Sequence, residues 1–148
     1  MKKYFSLFLA FLMVATIIPV GATFKEVYRE TEIIHTEDGD FEVETVLSIH
    51  NSLLRANSRT ASKTQSVKQN GTAVAEVTLT ATFRYTGSSV SVTDTDSDYT
   101  TYNGWSYKNE SISTSGGTAS LSASLTKLLA GTVPVSISIT CTPSGAIS

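Results

Sequence analysis

One cysteine and two histidines are all that this 148-residue chain offers for thiol, metal and proton-relay chemistry. A lone Cys141 excludes a disulfide within the chain and any zinc site built on several thiolates. His35 and His50 both fall in one acidic N-terminal stretch, and no Gly-x-Ser-x-Gly occurs. Nucleophilic catalysis needs a base beside the nucleophile and a third group orienting the base, and nothing here supplies that set. Paired carboxylates could serve glycoside hydrolysis, but most acids crowd into that stretch or one later segment, and the chain is short for a cleft. The expectation is a protein that is not an enzyme and needs no cofactor.

Long apolar runs are confined to the N-terminus. Lys2 and Lys3 precede an apolar run from about Tyr4 to Val20, and Val20-Gly21-Ala22 puts small residues where a signal peptidase reads them. That pattern predicts a secretory signal peptide over residues 1–22, cleaved after Ala22. The run is shorter than the roughly 20 residues a spanning helix needs, and Pro19 interrupts its end. The expected product is secreted and extracellular, with no membrane contact after cleavage. Its 126 residues suit one domain and carry 9 basic and 13 acidic side chains, a formal charge of −4. Residues 60–148 hold five of each sign, so no basic face awaits phosphates and nucleic acid is not an expected partner.

Residues 23–59 carry eight acidic side chains against four basic. Asp38-Gly39 is a two-residue turn signal, and Phe41, Val43, Leu47 and Ile49 share a parity, which predicts a hairpin. Like charges weaken an isolated ribbon, so a disordered acidic arm stands as the alternative. If the segment is peripheral, a chain beginning near residue 60 keeps its fold. Residues 51–68 show little periodicity and read as a linker or mobile crossing.

From Ala73 onward the chain alternates. Val77, Leu79, Ala81, Phe83 and Tyr85 fall on odd positions, and Thr78, Thr80, Thr82 and Arg84 on even ones. A period of two means one buried and one wet face. The same pattern recurs at Val90 and Val92, at Leu121 and Leu125, and from Val133 through Val135, Ile137 and Ile139 to Cys141, with turn residues between. Short strands without a helical segment predict an all-β fold, a single antiparallel β-sandwich, immunoglobulin-like or similar, over residues 60–148.

Several landmarks recur in a fixed order: Lys63-Thr64, Gly71, Phe83-Arg84-Tyr85-Thr86-Gly87, Trp105, Ser115-Gly116, and Thr140-Cys141 through Gly145 to Ser148. In this order the chain resembles a group of small, secreted, uncharacterised β-proteins of Gram-positive bacteria. The resemblance covers roughly the C-terminal sixty per cent and is moderately specific as a set. It implies a location and a fold, and no catalytic residue. It also implies a second cysteine, paired with the Cys141 position, where this chain has Val92.

Two segments carry candidate sites. Asp94, Asp96 and Asp98 alternate like the first ligands of an EF-hand loop, which would make Ca2+ the bound metal. Tyr99 stands where that loop requires Gly, and Trp105 where it requires Glu, so a solvated polar turn is the other reading. Tyr99, Tyr102, Trp105 and Tyr107 form an aromatic cluster of the kind on which β-sandwich modules stack sugars. Trp105 can equally be a core plug, which leaves Tyr99 and Tyr102 as the exposed remainder. The functional expectation is a secreted, non-enzymatic domain that binds an extracellular protein or a glycan. A glycan module using residues 99–107 is the first alternative, and a membrane-inserting or self-assembling β-protein the second.

Overall fold

The computed structural model describes residues 24–50 and 57–148, so the expected signal peptide and the start of the expected linker lie outside the described residues. Eight strands follow in order: β1 (Phe24–Thr36), β2 (Gly39–His50), β3 (Ser58–Gln69), β4 (Thr72–Tyr85), β5 (Val90–Thr101), β6 (Ser106–Ser115), β7 (Thr118–Lys127) and β8 (Gly131–Thr140). There is no helix among the described residues. β1-β2-β3-β4-β5 make one antiparallel sheet and β6-β7-β8 a second. Every ladder joins strands consecutive in sequence. This is all-β and consistent with two packed sheets, but the Greek-key crossovers of immunoglobulin domains are absent among the described strands.

The reversals follow from turn chemistry. Asn70-Gly71 between β3 and β4 has φ of 51° and 76°, and Asn103-Gly104 between β5 and β6 has 54° and 79°. Two successive positive φ values make a type I′ turn, for which Asn-Gly is the preferred pair because its side chains cost least in the left-handed region. The second turn, closed by the Trp105 N–H donating to the Tyr102 carbonyl at 3.1 Å, carries the chain from one sheet to the other. β1 and β2 turn through Glu37-Asp38, one residue earlier than the Asp38-Gly39 signal suggests.

Parity decides the core. Val77, Leu79, Ala81 and Phe83 are fully buried, as are Leu125, Val133 and Ile139, with Leu121, Val135, Ile137 and Cys141 almost so. Tyr85, expected inward with them, is half-buried at the margin, with the Arg59 guanidinium 6.0 Å from its ring centroid. The acidic segment forms the predicted hairpin, and β2 contributes Phe41, Val43 and Leu47 to the same cluster. A boundary between residues 59 and 60 therefore falls inside β3.

The stretch read as a linker is a strand from Ser58 on. Its polarity hid it, because its outer face is polar and its inner face carries Lys63 and Gln65 between the buried Ala61 and Val67. On the outer face Thr60, Ser62 and Thr64 pair with Thr82, Thr80 and Thr78 at 2.9, 2.8 and 2.8 Å. Cross-strand hydroxyl pairs of this kind stabilise a solvated sheet face. On the inner face Lys63 Nζ donates to the Ser138 carbonyl at 2.7 Å and Gln65 Nε2 to the Ser136 carbonyl at 3.0 Å. Both long side chains reach the margin of the second sheet.

Candidate functional site: an aromatic and acidic patch on β5 and β6

β5 and β6 are edge strands of different sheets, joined by the Asn103-Gly104 turn. Tyr99 lies opposite Val77 on β4, and Tyr107 opposite Leu125 on β7, so both point to the inner sides of their sheets. Because each strand is an edge, the two rings meet where the layers open to solvent. They stack with centroids 4.2 Å apart and planes at 21°. Tyr107 is half-buried, whereas Tyr99 is 51% exposed.

A bulge completes the patch. The β6 register shifts between Lys108 and Ser111, with Asn109 at a φ of 57°. In an unbroken strand Tyr107 and Glu110 would face opposite ways, and the extra residue brings them to one side. Tyr107 Oη donates to Glu110 Oε2 at 2.7 Å, and Ser97 Oγ donates to the same carboxylate at 3.1 Å. Burial, and then the bond to Glu110, push the Tyr107 phenol well above the usual tyrosine range. The result is a pre-set aromatic face beside a carboxylate held by two donors. That pair can stack on an apolar ligand face and accept hydrogen bonds from its hydroxyls.

The other expected residues are placed as follows. Trp105 is buried at 6% exposure, edge-on to Phe41 at 5.7 Å and 86°, so it belongs to the core and is removed from the binding set. Tyr102 is exposed on the turn, its backbone bonded to Val74 and Trp105. Asp94, Asp96 and Asp98 lie in β5 and not in a loop, opposite Thr82, Thr80 and Thr78. They form an exposed row with side chains roughly 7 Å apart, the two-residue repeat of a strand, where one ion cannot be shared by three carboxylates. No group of three or more His, Cys, Asp or Glu that could hold a metal occurs among the described residues.

Cys141 is a buried thiol, its ionisation held above the ordinary range by desolvation. Val92, half-buried, donates its N–H to the Gly116 carbonyl, and Cys141 donates to Gly117, so one turn brackets both. Among the described residues the remaining exposed large apolar side chains are Leu128 and Leu129 on the β7–β8 turn and Val27, Tyr28 and Ile33 on β1. Sequence reasoning missed Ser97 and Glu110, because their roles depend on a register break that alternation does not announce. No protein-family model, curated protein or solved structure matches this chain.

Proposed function

We propose that the protein is a secreted, non-enzymatic β-sandwich domain that binds at or beyond the cell surface, holding a glycan against the Tyr99 ring. The observation that carries this reading is the stack of Tyr99 on Tyr107 with Glu110 fixed alongside. Tyr107 backs one face of the Tyr99 ring and leaves the other to a pyranose. The Glu110 carboxylate accepts from sugar hydroxyls without first having to be ordered. Extracellular placement accords with the Lys2-Lys3 leader and with the likeness to secreted Gram-positive proteins.

Trp105 is buried, so its emission is a poor reporter. The test is an amide and aromatic NMR titration of the intact protein with a panel of soluble cell-wall and plant polysaccharides. A binding polysaccharide is expected to move the resonances of Tyr99, Tyr107 and Glu110 first, and Tyr99→Ala is expected to weaken it more than tenfold without unfolding the protein. A panel that moves none of these resonances leaves the glycan reading without support.

A further inference from the structure

Three of the four edge strands meet another part of the chain among the described residues. β8 is capped by Lys63 and Gln65 and then by Ser148, which exchanges two backbone hydrogen bonds with Thr140 at 2.8 and 2.9 Å. β5 and β6 face each other through the Ser97–Glu110 and Tyr99–Tyr107 contacts. β1 has no such cover among the described residues. Over 13 residues it is paired on one side only, to β2, and residues 25–33 are exposed.

The side chains of β1 define what can pair there. Arg29 is held by Glu26 and Glu44; Glu30 accepts from the Tyr28 hydroxyl and feels the Lys63 charge, and neither Glu30 nor Glu32 has a salt-bridge partner among the described residues. Glu30 and Glu32 stand two residues apart opposite Thr45 and Val43, hence on one face, and Ile33 opposite Glu42 stands on the other. Val27, Tyr28 and Ile33 are 45%, 46% and 49% exposed. A second β1 is disfavoured in the registers that overlap most of the strand. Antiparallel registers centred on Glu30, Thr31 or Glu32 set Glu30 against Glu30, Glu30 against Glu32, or Glu32 against Glu32, and like charges directly opposite repel. These charges, with the bulge between Glu26 and Tyr28, work against self-pairing in those registers. They favour a strand with positive charge at alternate positions and apolar residues between.

We infer that β1 is a docking edge for an extended basic segment of another protein, which joins the five-stranded sheet as a sixth strand. Backbone hydrogen bonds supply the pairing, Glu30 and Glu32 select alternating Lys or Arg, and Ile33 meets an apolar side chain. β5 is the weaker candidate, since its outward row holds Asp94, Asp96 and Asp98 with no large apolar side chain beside them and its inner side is met by β6.

The probe is an acetylated and amidated (Lys-Val)4 peptide, with (Glu-Val)4 as its control, titrated into the full-length protein by NMR and calorimetry. The expected result is slowed exchange and shifted resonances for β1 amides with (Lys-Val)4 alone, weakening as salt is added. The double variant Glu30→Lys with Glu32→Lys is expected to lose at least tenfold in affinity and to gain affinity for (Glu-Val)4. Both sites are exposed, and a native-like amide spectrum establishes that the variant is folded. Asp94→Lys with Asp96→Lys, and Tyr99→Ala, are expected to leave (Lys-Val)4 binding unchanged. Shifts centred on β5, equal binding of the two peptides, or undiminished affinity in the Glu30/Glu32 variant would each overturn the proposal.

Discussion

β8 and β1 are both edge strands, and they are finished in opposite ways. β8 alternates strictly, with Val133, Val135, Ile137 and Ile139 buried, and its outer margin meets side chains reaching from β3 and the end of the chain. β1 carries charge on both faces and meets no such groups among the described residues. An apolar alternating edge is an aggregation hazard that must be covered, whereas a charged, bulged edge can be left open to solvent because it repels its own kind. The difference lies in how each margin is protected, and only the second method leaves a strand available to a partner.

The largest expected effect separates β2 from β1. Phe41, fully buried and edge-on to Trp105, should cost about 3–5 kcal/mol on mutation to Ala, whereas Tyr28→Ala one strand outward should cost under about 1. Urea denaturation measures both. Equal losses would place β1 in the core and end the contrast between the edges.

Opening the β8 edge should cost less and show in a different observable. Lys63→Met keeps the apolar stem and removes the donor to the Ser138 carbonyl, so about 1–2 kcal/mol is expected to be lost. The uncovered margin should also make the protein self-associate with concentration, which sedimentation reads. A variant that stays monomeric and equally stable would mean that Lys63 does not guard β8.

The smallest effect is on the β5–β6 side. The phenol of Tyr107 ionises above its unfolded value because of burial and the Glu110 bond. Below about pH 10 both states hold the proton and the contribution is whole. As pH climbs above that, the unfolded state ionises first, the folded state binds more protons, and stability falls. Tyr107→Phe should cost about 1 kcal/mol or less at neutral pH and flatten this alkaline loss. Parallel alkaline curves for the two proteins would show that Tyr107 is not the group responsible.

Much of the layout was readable in advance. The inward set from Val77 to Phe83 and from Val133 to Cys141 follows from parity, and so does the polarity of the hydroxyl-bearing face. β3 was not readable by that rule, since Lys63 and Gln65 occupy inward positions without being apolar. A different local signal announces it: Asn70-Gly71 is a hairpin turn and requires a strand on each side. Half of the candidate patch was legible in Tyr99 and Tyr107. Ser97 and Glu110 were not, and Trp105 was legible only as a choice between core and surface.

The sequence alone determined most of the strands, which face of them is buried, and where the charge lies. These properties are local, since the two-residue period sets each side chain's direction and the turn residues set the reversals. The tertiary structure decided which edges are covered, that the β6 bulge brings Glu110 to Tyr107, and that Trp105 packs on Phe41 across 64 residues of chain. Those outcomes depend on which strands meet after the chain folds back on itself. Register breaks and packing between layers are settled by contacts distant in sequence, which no local pattern encodes.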